Sequence, residues 1–290
     1  MAIIEIERLK KSYGKHVGVR DVSLSANQGE ILGFVGPNGA GKSTTIKALM
    51  GFILPDGGRA SVCGLDAGRD SRKIKTFTGY VPAEVRLYPT MTVNELLRRS
   101  AGFYAVDCGA ETRRLTALFE IDTGKRFHEL SSGNKKKVSI VCALMPGPRV
   151  IVLDEPTNGL DPMMQRRLFE ELARRTKEGA TVLLSSHNLT EVQAYCHRVA
   201  FIRKGVILAI TELAGAAEAA KIITVTGGQA EAPPGLELMP GGNGQRAFRT
   251  TLDTPALLAA LTALGPQDIT IENESIEARF WSLYDQEDEA

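Results

Sequence analysis

Nine consecutive residues, GPNGAGKST at positions 36–44, bring together what a polyphosphate needs: unobstructed backbone N–H groups, one cation and two hydroxyls. The stretch fits the pattern G-x-x-x-x-G-K-[ST]. Gly36, Pro37, Asn38, Gly39, Ala40 and Gly41 make a loop, and the amides from Asn38 to Ser43 can face a phosphate while the following helix adds its positive end. Lys42 then reaches the β- and γ-phosphates, the Ser43 hydroxyl ligates magnesium, and Thr44 meets the α-phosphate.

A second cluster, VIVLDEPTNGLDP at 150–162, ends an apolar run with two adjacent carboxylates. Carboxylates at the end of a buried strand are costly without a cation to meet them. Asp154 suits the magnesium shell, and Glu155 can polarise a water for attack on a γ-phosphate. A third stretch, LSSGNKKKVSIV at 130–141, passes from a polar turn through three lysines into an apolar run. Helical spacing over Asn134 to Met145 puts Lys135, Lys136 and Lys137 at the positive end of a helix, so something negative is expected there. Nucleic acid, bulk solvent and an active site completed from elsewhere each fit that pattern.

The elements that must hold these groups alternate. AIIEIERL and VSLSANQGEILGFVG read as early strands, the last run ending in the glycine loop, and STTIKALMGF continues as a helix. A helix-rich middle follows between about residues 92 and 145, carried by TVNELLRRSAGFYAV and AETRRLTALFE. RVIVLDEP, TVLLSSH and RVAFIRKG are short apolar strands interleaved with helical PMMQRRLFEELARRTKEG and LTEVQAYC, the alternation of an α/β domain with strands buried on both faces. The character changes near residues 212–220: KIITVTG, RAFRTTL and DITIE read as strands, TPALLAALTAL and SIEARFWSLYD as helices.

Composition narrows the partners. Among 290 residues, 35 basic and 34 acidic side chains leave a formal charge of +1, so no global field draws the chain to DNA, RNA or an anionic membrane. Cys63, Cys108, Cys142 and Cys196 are widely separated, which suggests neither a zinc site nor a disulfide framework and fits reduced thiols. The N-terminus lacks the order of a signal peptide and no apolar run reaches membrane-spanning length, so a chain soluble by itself is expected.

With GPNGAGKST, LSSGNKKK, VIVLDEP, NGLDP and SSH following in order over residues 36–187, the chain resembles the nucleotide-binding subunit of an ABC transporter. The resemblance covers roughly the first 210 residues. It implies an α/β fold: a P-loop NTPase core of ABC ATPase type with an antiparallel β subdomain and a helical signature subdomain at about 85–145. Together these make an ATP-binding domain over 1–215, with a small α+β accessory domain over 216–290.

The resemblance further implies that ATP with Mg2+ is hydrolysed using Lys42, Glu155 and His187, that Ser43 and Asp154 hold the metal, and that Tyr13 stacks on adenine. Ser131, Ser132 and Gly133 match the signature that caps the ATP of a second protomer, which answers the question raised by the lysines, and Asp161 matches the loop that links the two sites. A homodimer or heterodimer of ATPase subunits, working with a separate transmembrane permease and without nucleic acid, is implied, held at the cytoplasmic face of the membrane. The SIEARF stretch resembles the C-terminal region of exporter-type members. Two departures stand out: Ala83, followed by Glu84, occupies the place usually taken by Gln, and the signature carries Ser132 and Asn134. Leu87, Tyr88 and Met91 then fall where a transmembrane partner docks. A cytosolic ABC ATPase outside transport, or a nucleotide-dependent regulator, would be the alternative.

Overall fold

In the computed structural model, residues 1–14, 16–213, 220–227, 232–239 and 245–273 are described. The chain divides into two compact units, Met1–Glu212 and Leu213–Ala290. The first unit opens with strands β1 (Ala2–Tyr13), β2 (His16–Asn27) and β3 (Ile31–Val35), followed by helix α1 (Lys42–Leu49). Next come β4 (Gly57–Val62), β5 (Leu65–Asp66), α2 (Ser71–Lys75) and β6 (Thr78–Val81). Helices α3 (Val93–Ala101), α4 (Gly109–Leu118) and α5 (Ser132–Leu144) form the middle, and β7 (Val150–Asp154), α6 (Pro162–Lys177), β8 (Thr181–Ser186), α7 (Leu189–Tyr195), β9 (Arg198–Arg203) and β10 (Val206–Glu212) complete the unit.

One ten-stranded sheet carries it, in the order β5-β4-β1-β2-β10-β9-β3-β8-β7-β6. The half from β9 to β6 is parallel, and every residue of β3, β7 and β8 is buried. Continuous apolar runs such as VIVL and TVLL suit strands covered on both faces. Beyond a parallel contact of β10 with β2, the other half is an antiparallel arm in which β1 pairs with both β2 and β4. There Ile4, Ile6 and Leu9 turn inward while Glu7 faces out and takes Arg59 of β4 in a two-pronged ion pair at 2.8 and 2.9 Å. The polar side of that arm explains why its period shows in the sequence only in part: register shifts interrupt β1 after Ala2, Ile6, Leu9 and Lys11.

The helices start where their caps dictate. Thr92 and Glu95 close a reciprocal capping box at the start of α3, and Asp161 caps α6 with Pro162 in its first turn. Helix α5 begins two residues earlier than the spacing predicted, because the Ser131 side chain accepts the Asn134 N–H at 3.3 Å and supplies the cap. Strand β2 likewise runs back to His16, and β4, β5, α2 and β10 carry too little apolar periodicity to be read in advance.

The second unit is a four-stranded antiparallel sheet, β12 (Glu237–Met239), β13 (Arg246–Thr250), β11 (Lys221–Thr226) and β14 (Asp268–Asn273) in spatial order, with helix α8 (Thr254–Leu264). Ile223, Val225, Phe248, Leu257, Leu261 and Leu264 form its core. Strand β12 lies in the Gly/Pro-rich stretch, where no strand was expected. The SIEARF stretch lies outside the described residues. Among the described residues no helix is long and apolar enough to cross a membrane.

Candidate functional site

The site grows from the C-terminal ends of three adjacent parallel strands, β3, β8 and β7, where an open α/β sheet leaves a crevice for ligands. The phosphate loop leaves β3. Gly41 sits at φ 111° with its α-carbon against the Gly18 carbonyl, a place a side chain would crowd to 2.7 Å, so the loop can turn into α1 only with glycine there. Lys42 is buried, and its ammonium donates to the Gly36 and Pro37 carbonyls at 2.6 and 3.2 Å. Ser43 and Thr44 are half-buried at the start of α1, and Pro37, Asn38 and Gly39 are exposed.

Asp154 and Glu155 leave β7. Ser185 of β8 holds both: its hydroxyl donates to Asp154 Oδ1 at 2.7 Å and accepts the Glu155 N–H at 3.0 Å. Burial, with the Asp154 charge adding to it, pushes the Tyr80 phenol up to about 12. Glu155 takes the left-handed conformation at φ 49°, which turns its side chain out of the strand direction and back toward the loop. Its Oε1 lies 3.3 Å from Lys42 Nζ, an ion pair without hydrogen-bond alignment, and its Oε2 lies 2.8 Å from His187 Nδ1. The His187 side chain is 56% exposed, so a buried carboxylate is joined on one side to a buried cation and on the other to an imidazole open to solvent.

Tyr13 ends β1 with a half-exposed ring. A side chain at Gly18 would meet Tyr13 Cε2 at 3.2 Å and Thr44 Cγ2 at 3.3 Å, so the ring and the end of the phosphate loop flank the same glycine.

The signature stretch is split in its environment. Ser131 and Ser132 are exposed at the start of α5, whereas Gly133 is buried with its α-carbon against the Gly159 carbonyl, so closely that any larger residue would collide. The glycine is thus required by a contact within the chain. Asp161 is exposed, and its carboxylate accepts the Met164 N–H at 3.0 Å as the cap of α6. The lysines divide as well. Lys135 is half-buried, but Lys136 and Lys137 are only 4% and 9% exposed, so a solvated basic face is ruled out for them. Burial pulls the Lys136 ammonium below the usual lysine range, against the pull of Asp154 and Glu155 in the other direction.

Ala83 is exposed, and Glu84 pairs with Arg86 at 2.7 Å at the surface. Tyr88 is exposed, while Leu87 lines a cavity of about 240 Å³ with Phe52, Tyr80 and Tyr104, and Met91 is half-buried. Sequence reasoning passed over Ser185 and the ion cluster joining α4 to α6. The first serine of SSH drew no notice beside the histidine, because only the fold shows which carboxylate its hydroxyl meets, and the cluster depends on side chains 57 positions apart.

The sequence profile of the ABC transporter family matches residues 19–158. The chain is 36% identical over 213 residues to the linearmycin resistance ATP-binding protein LnrL of Bacillus subtilis, covering 72% of this chain and 68% of that one. It is 38% identical over 209 residues to the Nod factor export ATP-binding protein I of Paraburkholderia xenovorans, covering 70% and 69%. A solved ATP-binding subunit of an ABC transporter superposes with a TM-score of 0.68 at 32% identity, over 73% of this chain and 90% of that one. A dimeric bacterial ABC transporter cassette shares the fold, with a TM-score of 0.64 at 22% identity over 73% and 99%. The loop, the carboxylate pair and the imidazole on neighbouring strand ends therefore sit in a known architecture: the chain is a member of the ABC transporter ATP-binding family, an ATPase subunit.

Proposed function

We propose that this chain is the motor of an exporter: two cassettes close around two ATP molecules, and hydrolysis lets them separate and drives a separate transmembrane permease at the cytoplasmic face of the membrane. The observation that carries the hydrolytic part is the chain of contacts Lys42–Glu155–His187 at the strand ends. ATP entering the loop draws Lys42 toward the β- and γ-phosphates and frees Glu155 to accept a proton from the attacking water, while His187 bonds the γ-phosphate. Tyr13 stacks on the adenine, and the loop amides from Gly36 to Thr44 hold the phosphates.

Magnesium fits the donor set. A serine hydroxyl at Ser43 and the buried Asp154 carboxylate are oxygen ligands of the kind that hold this ion beside phosphates, with water completing its shell. When bound, the ion neutralises charge on the β- and γ-phosphate oxygens. Ser185 keeps Asp154 turned toward that position.

Dimerisation is supported by the exposed Ser131 and Ser132 at the positive end of α5, a place built to receive an anion that this protomer does not itself bring there. The partner's γ-phosphate supplies it, and Asp161 lies beside the same interface. The dimeric cassette with this fold and the export-linked names of the relatives support the assembly and the direction of transport. Residues 216–290 are proposed as an accessory domain. The test is ATP hydrolysis against protein concentration, beside Glu155→Gln, with the ATP-bound mass read by light scattering. A rate rising faster than linearly and an ATP-trapped dimer in the variant support composite sites; a linear rate with a monomeric variant rejects them.

A further inference from the structure

Glu155 is gripped from behind as well as in front. Its carboxylate faces Lys42 and His187, and its main-chain carbonyl accepts from Lys136 Nζ at 3.3 Å. The same ammonium donates to the Pro82 and Ala83 carbonyls at 2.9 and 2.7 Å, just beyond the end of β6. Lysine has three N–H donors and no acceptor, so three carbonyls from two separate segments match it in full. The Glu155 N–H is pinned in turn to Ser185. Both ends of this residue's main chain are thus fixed, in a left-handed conformation that a non-glycine residue adopts only when its surroundings impose it.

A lysine only 4% exposed is a costly way to fill space, since an apolar side chain of similar volume would pack there without desolvating a charge. We propose that Lys136 is a positioning residue for ATP hydrolysis: it ties the carbonyl of Glu155 to the Pro82–Ala83 segment and so aims the carboxylate at the attacking water. The inference rests on Glu155 acting as the base, as read above. Lys136 also lies one helical turn into α5 from Ser131 and Ser132, so a phosphate capped at the start of that helix bears on the same carboxylate through a single rigid turn.

The decisive pair is Lys136→Met against Lys136→Arg, because methionine keeps the volume and loses the donors while arginine keeps the donors and changes the volume. Steady-state hydrolysis, binding of a non-hydrolysable ATP analogue and thermal unfolding are measured on each, with Glu155→Gln alongside. The Met variant is expected to lose about tenfold to a hundredfold in kcat with KM and analogue affinity within about twofold, and the Arg variant to recover most of the loss. A Met variant with kcat within about twofold of the unaltered chain overturns the proposal, as does a fall in analogue binding that parallels kcat, or an Arg variant poorer than Met. Should the Met chain not fold, Lys136→Gln is held to the same criteria. Turnover retained by Glu155→Gln would show instead that the reading of the base is wrong, and the inference would fall with it.

Discussion

At the scale of single residues the site is a matter of what Glu155 touches. Replacing it with Gln leaves Lys42 and His187 in place but removes the proposed proton acceptor, and hydrolysis is expected to fall by at least about a hundredfold while ATP still binds, as measured by single-turnover assay. Tyr13→Ala removes the aromatic face beside Gly18 and Thr44, and should weaken ATP about tenfold, a loss of the size expected for one base–aromatic stack, read by nucleotide titration. The phosphate loop and the carboxylate pair were legible because their chemistry is local: nine and two consecutive residues contain it. The Lys136 contacts were not, because three neighbouring lysines look alike in a sequence and only folding sends one of them inward to carbonyls 19, 53 and 54 positions away.

At the scale of elements, the joint between α4 and α6 is ionic. Glu171, buried on α6, receives Arg114 of α4 at 2.6 Å and Arg175 at 2.7 Å, while Glu111 of α4 pairs with Arg114 and Arg175. Burial works to raise the Glu171 carboxyl, but hydrogen bonds from Arg174, Arg114 and Arg175 outweigh it and hold the group down at about 2. A carboxyl lowered by folding contributes stability above its unfolded value of about 4.3, and that stability is lost as pH falls toward about 2. Glu171→Gln should therefore lower Tm near neutral pH, by an amount equivalent to about 3 kcal/mol, and the difference from the unaltered chain should shrink through the acid range in thermal scans. Strands with continuous apolar runs, β3, β7 and β8, were legible; β4 and β5, two short pieces of the polar arm, were not, since the pairing of β4 to β1 and of β5 to β4 rests on hydrogen bonds rather than on a pattern of their own.

For the whole molecule, the start of α5 makes an association prediction. Ser131 and Ser132 are solvent-facing while Gly133 is locked against Gly159, so in the proposed dimer the cap is prepared inside one chain and completed by another. Gly133→Ala forces the Gly159 carbonyl away and should abolish the ATP-trapped dimer in the Glu155→Gln background while leaving monomer nucleotide binding nearly unchanged, which sedimentation with and without ATP would show. The α/β class of the first unit was readable from the alternation of strands and helices. The ordering of the ten-stranded sheet was not, because a strand's neighbours depend on connections that cross over, as β3 lying between β8 and β9 illustrates.

The complete burial of β3, β7 and β8 bears on time as well as on place. Amides in such strands exchange with deuterium only when the unit opens as a whole, whereas exposed loop tips such as Asn38 and Gly39 exchange through local fluctuation. The site therefore stands with its feet in the slowest-exchanging part of the molecule and its fingers in the fastest. ATP should slow exchange in the fingers by orders of magnitude and leave the feet governed by the same global opening.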